Sequence, residues 1–228
     1  MKSRSGAGSG GFGGLRRRDE MMPRSIIKQA RCKPGSLARG DPAPRARSGW
    51  NRFQLGVRVS HARCTSYSIK DGNSFAQWYN TTANVNQEIP GQLTLTETPA
   101  GSGISMYDST AFFPIDGKGF GNTPGQTHNY SFTTEIHVTF TYQAKQKFTF
   151  RGDDDLWIFV NHKLALDVGG QHQALEGTID FDLQAAALGI TVGSSYSMDI
   201  FHAERQTTDS NFRIETNITC FVPSMVVK

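Results

Sequence analysis

The chain has 228 residues, with 24 Lys and Arg against 20 Asp and Glu, 11% aromatic residues and three cysteines. That is enough material for one good-sized core without metals or disulfides as an obligatory support. No run of 18 apolar residues occurs, which excludes a membrane-spanning helix, and no apolar leader core follows Met1, so secretion would need a leader from a longer transcript or another start.

Charge divides the chain in two. Residues 1–64 hold 15 bases and 3 acids, and the remainder holds 9 bases and 17 acids, so the overall +4 describes neither part. Gly and Ser dominate Ser3–Gly14, and Pro23, Pro34, Pro42 and Pro44 punctuate a stretch with few large apolar residues. Such composition cannot bury enough surface to offset ordering, so residues 1–63 read as a disordered basic tail and 64–228 as the folded domain. Clustered bases attract nucleic acid or anionic surfaces. The tail lacks a recognition motif beyond Trp50 and Phe53, so nucleic acid is not favoured as a partner.

Along the domain, Ser74 is placed to cap a short helix over Phe75–Tyr79. Ile136, Val138, Phe140 and Tyr142 alternate with Glu135, His137, Thr139 and Thr141, the pattern of a half-buried strand with its polar face outward. Leu156–Val160 is continuously apolar and reads as a strand buried on both faces. The period of two recurs at Leu175, Ile179, Phe181 and Leu183, and at Phe212, Ile214 and Ile218. Asp182 could cap a helix over Leu183–Leu188 that Gly189 stops. Turn signals at Asp71-Gly72, Asp116-Gly117, Gly169-Gly170 and Gly193-Ser194 separate these runs, as in a sandwich or barrel. No repeat of 20 to 50 residues is present, which argues against a propeller or solenoid.

The chemistry concentrates at Asp153-Asp154-Asp155, immediately before Leu156. Three adjacent carboxylates raise one another's pKa values unless a cation offsets them, and a hard divalent ion bound by oxygens, Ca2+ first, suits them. The plain alternative is a solvated acidic turn. Cys64 and Cys220 stand near the two ends of the domain: a staple if the domain is extracellular, a linker thiol and a small core residue in a reducing cytosol. Asn80, Asn129 and Asn217 each open a glycosylation sequon that would suit a secreted surface.

The run Phe150–Gly170, which contains Gly-Asp-Asp-Asp-Leu-Trp-Ile-Phe-Val, resembles the central signature of the fibro-slime domain, a branch of the anthrax protective-antigen type of β-sandwich. Four flanking blocks match in order: Phe112-Phe113-Pro114-Ile115-Asp116, His128-Asn129, Phe201-His202-Ala203-Glu204-Arg205 and Ser210–Thr216. The resemblance covers about residues 65–222. It implies an all-β, antiparallel sandwich with one or two short helices, and an extracellular or cell-surface module. Carbohydrate-binding members of that superfamily hold calcium between two adjacent aspartates joined by a cis peptide, which map onto Asp153 and Asp154. Asp209 and Asn211 are expected to complete the metal shell, and Asp155, Thr207, Thr208 and Ser210 to contact the ligand. Where the family usually carries Asn-Gly after the signature strand this chain has Asn161-His162, which predicts a looser or strained turn.

The implied function is calcium-dependent binding of glycans or matrix polysaccharide in adhesion, by a secreted glycoprotein without catalysis of its own. The alternative is a structural or signalling extracellular module for protein partners, with the acids serving stability. Asp153 with Glu204 could in principle form a glycosidase pair. No nucleophile elbow, zinc motif or phosphate loop accompanies it.

Overall fold

The computed structural model describes residues 52–62, 71–207 and 209–223. Of the first segment only the backbone pairing is described. β1 is Arg52–Ala62, β2 Asn86–Glu97, β3 Ser105–Ser109, β4 Phe132–Thr141, β5 Lys147–Gly152, β6 Asp155–Val160, β7 Lys163–Val168, β8 Leu175–Asp180, β9 Ser195–Glu204, β10 Phe212–Thr216 and β11 Phe221–Pro223. The helices are α1, Gly72–Tyr79, and α2, Phe181–Leu188. Neighbouring strands run antiparallel throughout, in the order β7-β6-β9-β4-β1-β2-β3-β10-β5-β8, with β11 beside β4. The path folds on itself at the long β2, which pairs with β1 along its whole length and with β3 through Thr96 and Glu97. Two facing sheets result, and the expected all-β architecture holds. Their far edges also meet: a Cβ on Gly177 of β8 would stand 2.6 Å from a terminal methyl of Leu166 of β7, so a larger residue there would require that side chain to shift.

The core follows from the period of two. Ile136, Val138 and Phe140 of β4 meet Ile200 and Met198 of β9 and Leu156, Ile158 and Val160 of β6, all at most 2% exposed. The facing sheet supplies Phe148, Phe150, Phe212 and Ile214. Phe112 stacks on Phe212 with ring centres 4.3 Å apart, and Phe150 meets Phe212 edge-on at 4.9 Å.

Several expectations need correction. β1 begins at Arg52, inside the stretch assigned to the tail, and pairs with both β2 and β4. Its alternating Phe53, Leu55, Val57 and Val59 carried the strand signal beneath the basic composition. Residues 1–51 lie outside those described. The polar face of β4 is not in water over its first half, because Thr133 and Glu135 are both 3% exposed. α1 covers that face, and Thr133 donates to the Trp78 carbonyl at 2.9 Å. Only the inner face of β6 is fully buried, since Trp157 and Phe159 are partly exposed. Asp71, not Ser74, is the N-cap of α1: its carboxylate accepts from Ser74 N while the Ser74 hydroxyl accepts from Asp71 N. Asp180 caps α2, two residues earlier than Asp182, so Phe181 turns into the core while Leu183 is 85% exposed. Gly189 ends that helix at φ 68°, as expected. Asn161-His162 forms a tight turn, with Val160 paired to Lys163 and both turn residues left-handed at φ 50° and 60°.

Candidate functional site

The acidic triplet occupies the reversal between β5 and β6. Gly152 closes β5 against the Asn211 backbone and the Phe150 ring, where a Cβ would come within 2.6 Å of both. Asp154 then takes φ 52°, a left-handed turn that an Asp tolerates better than most residues. This twist sends the three carboxylates in three directions. Asp153 accepts from Asn211 N and Asn211 Nδ2, both at 2.7 Å. Asp154 Oδ2 accepts from Arg205 N at 2.8 Å. Asp155 accepts from Arg205 Nε at 2.6 Å and Gly170 N at 2.7 Å. The peptide between Asp153 and Asp154 is trans, against the cis linkage that the resemblance implied. Protein donors from two loops, Arg205 and Asn211 between β9 and β10 and Gly170 between β7 and β8, offset the three charges and relieve their crowding.

Burial is severe: Asp153, Asp154 and Asp155 are 6%, 2% and 1% exposed. The Arg205–Asp155 ion pair is closed to solvent, and the guanidinium lies 5.2 Å from the centre of the Trp78 ring. Burial raises the Asp154 pKa above the usual carboxylate range, although the Arg205 backbone bond and charge oppose the shift. Glu204, at the end of β9, is pushed up to about 8, first by burial and then by the Asp154 charge. Glu204 Oε1 accepts from Gln206 N at 3.1 Å, while the buried Oε2 accepts no hydrogen bond. The neighbouring Ser210 hydroxyl gives its proton to the Phe112 carbonyl instead. An orphaned carboxylate oxygen inside a protein costs the full desolvation of that atom.

That oxygen belongs to a residue lining a hollow of about 170 Å³ shared by Asp153, Asp154, His172, Gln173, Glu204, Gln206 and Asp209. The donor set, four carboxylates and two amides, suits a hard cation. Among the described residues, however, no three acidic, His or Cys side chains are already arranged as a metal cage.

Of the residues expected to act together, Asp153, Asp154 and Asp209 meet at the hollow. Asn211 instead serves Asp153 as a hydrogen-bond donor. Asp155 is turned away, held by Arg205 and Gly170, and Ser210 is 1% exposed with its hydroxyl spent on Phe112, so neither is free to touch a ligand. Thr207 does not line the hollow, and Thr208 lies outside the described residues. Glu204, which the sequence offered as half of a glycosidase pair, is the residue the site adds; its signal was a carboxylate in a matched block directly before Arg205. No hydrogen bond joins His202 to Glu204, although both lie on one face of β9: neither His202 nitrogen nor Glu204 Oε2 has a partner. His202 sits among Phe112, Phe132, Phe150 and Phe212, where burial drives its pKa down to about 3 and keeps it neutral.

Cys220 is disulfide-bonded, with a partner outside the described residues; Cys64 is likewise outside them. Asn129 is fully buried with Nδ2 on the Gly121 carbonyl, which leaves no room for a glycan at that sequon. Asn217 bridges Lys145 and Lys147 through its amide, and Asn80 donates to the Ala76 carbonyl. Arg151-Gly152-Asp153, a tripeptide read by some cell-surface receptors, is not presented here, because Gly152 and Asp153 are buried.

No family model matches the chain. Two curated proteins of Dictyostelium discoideum are similar to it: protein psiC, 39% identical over 163 residues, and protein psiD, 41% identical over 161. The matches cover 68% and 67% of this chain, which spans only about a third, 31%, of either relative. Among solved structures it is similar to the PA14 domain of the MpAFP antifreeze protein, with TM-score 0.37 and 10% identity over 78% of this chain and 85% of that one. Another is the Candida glabrata epithelial adhesin 9 A domain in complex with Galb1-4GlcNAc, with TM-score 0.39 and 11% identity over 78% and 90%. Likeness at this level fixes neither a site nor a ligand. On the ordered sequence blocks and the identity to the psi proteins, the chain carries a domain of the fibro-slime, protective-antigen type.

Proposed function

We propose that this domain is an extracellular carbohydrate-binding module acting in adhesion, and that a calcium ion mediates its contact with sugar hydroxyls. The observation that carries this reading is the hollow at the ends of β5 and β9, where the Glu204 carboxylate is 1% exposed and keeps one oxygen without a donor. A cation would be held by Asp153, Asp154 and Glu204, with Asp209 at the exposed rim. Calcium would supply open coordination positions that vicinal hydroxyls can fill. The protein's own part is to keep water from the inner carboxylates and to hold their backbone rigid through Asn211 and Arg205.

Binding rather than catalysis suits the geometry. Both oxygens of Asp153 are already engaged by Asn211, so that carboxylate is poorly placed to serve as nucleophile or base beside Glu204. The disulfide at Cys220 supports an oxidising compartment, and among the described residues no helix is long and apolar enough to cross a membrane.

Calorimetric titration with calcium, followed by a glycan array with and without chelator, tests the proposal. The expected result is saturable calcium binding, loss of that binding in Glu204→Gln, and calcium-dependent capture of a restricted set of glycans. Metal binding without glycan selectivity would support a protein-binding module instead. No metal binding by the folded domain would remove calcium from the reading.

A further inference from the structure

A second hollow lies away from the acids, on the outer face of the β4-β9-β6 sheet beneath α1. Its floor follows from strand pairing. Trp157 and Phe159 of β6 stand opposite Phe201 and Asp199 of β9, which stand opposite Glu135 and His137 of β4. α1 adds Phe75 and Tyr79 as a roof, and the hollow encloses about 480 Å³, within the range of small-molecule sites.

The rings form a box rather than a platform. Phe75 meets Trp157 at an interplanar angle of 80°, Tyr79 meets Phe201 at 78°, and Phe159 meets Phe201 at 84°. Coplanar rings would present one flat surface to a sugar, whereas perpendicular walls surround a compact, rounded group.

Behind the rings lies an anionic cluster, of which Asp199 reaches the wall. His137 bridges Asp199 at 2.8 Å and Glu135 at 3.1 Å. Burial lowers its pKa, but the two carboxylates outweigh that and hold it at about 9. Two carboxylates around one imidazolium leave a net charge of −1. Glu135, 3% exposed, keeps Oε1 without a partner, and the buried Tyr79 hydroxyl has none. Among the described residues no lysine or arginine lines the hollow, and His162 stands at it as the only other titratable base. The nearby Asp155–Arg205 pair is internally neutral.

From this box of rings against an anionic cluster we infer a binding site for a small molecule bearing a quaternary ammonium group. Ring faces and a carboxylate attract a cation, and an alkylated ammonium, which donates no hydrogen bonds, suits walls that are mostly carbon. A primary ammonium would bring three donors and find few acceptors.

The test uses the folded domain and Trp fluorescence with two-dimensional NMR, choline as the probe, and its neutral tert-butyl isostere, 3,3-dimethylbutanol, as the control. Choline is expected to bind saturably with shifts confined to α1, β6 and β9, and at least about tenfold more tightly than the isostere. Trp157→Leu, at a partly exposed position, should weaken choline by about tenfold while circular dichroism stays unchanged. Equal binding of choline and isostere would overturn the inference in favour of a merely apolar groove. Displacement of choline by galactosides would overturn it in favour of a sugar subsite, and no choline binding at 50 mM (on the order of the weakest cation–π sites) would overturn it outright.

Discussion

Removing the Arg205 guanidinium isolates what holds the acidic reversal together. In Arg205→Met the stem and much of the packing over Trp78 remain, but Asp155, 1% exposed, loses its charged partner and keeps the bond from Gly170 N. Breaking a buried ion pair from one side costs about 3–5 kcal/mol, because the surviving charge stays out of water. The lost contact with Trp78 adds about 0.5–2 kcal/mol. Urea denaturation should therefore show a loss of about 3.5–7 kcal/mol with an unchanged slope against denaturant. Asp155→Asn in the same background should recover about half, since an amide tolerates that position without a counter-charge. A single-variant loss below about 1 kcal/mol would refute the reasoning, since it is the value of a solvent-screened pair.

Other outcomes follow from individual contacts. Gly152→Ala should cost about 1–3 kcal/mol in the same denaturation assay, because the added carbon meets Asn211 O and the Phe150 ring at 2.6 Å. His162→Gly should stabilise the domain by about 0.5–1 kcal/mol, since φ 60° costs a non-glycine residue strain that the gain in unfolded-chain entropy offsets only in part. His202 has a folded-state pKa depressed to about 3, so its contribution is fully present above its unfolded value near 6.5 and is lost as pH falls between them. Stability should fall by up to about 1.4 kcal/mol per pH unit across that window from this group, and His202→Leu should flatten the acid limb of a plot of Tm against pH. His137 has the opposite sign: raised to about 9, it stabilises fully below 6.5 and less as pH climbs to 9, a limb that His137→Gln should remove.

What could be read from residue order was whatever depends on near neighbours. Alternation at Ile136–Phe140 and Phe212–Ile218 named inward-facing residues, Gly189 stopped α2, and ordered blocks around Asp153–Val160 identified the domain type. The period of two says which residues share a face of a strand, but not what covers that face. Only the packing of α1 over β4 made Glu135 and His137 interior, and only cross-strand register turned Trp157, Phe201 and Asp199 into one hollow. The acids show the same division. Their adjacency was visible in the chain, yet the donors that separate them, Asn211, Arg205 and Gly170, lie 58, 51 or 50, and 15 residues away. Such partners meet by chain reversal and sheet closure, so the orphaned oxygen of Glu204 emerges only when both sheets are in place.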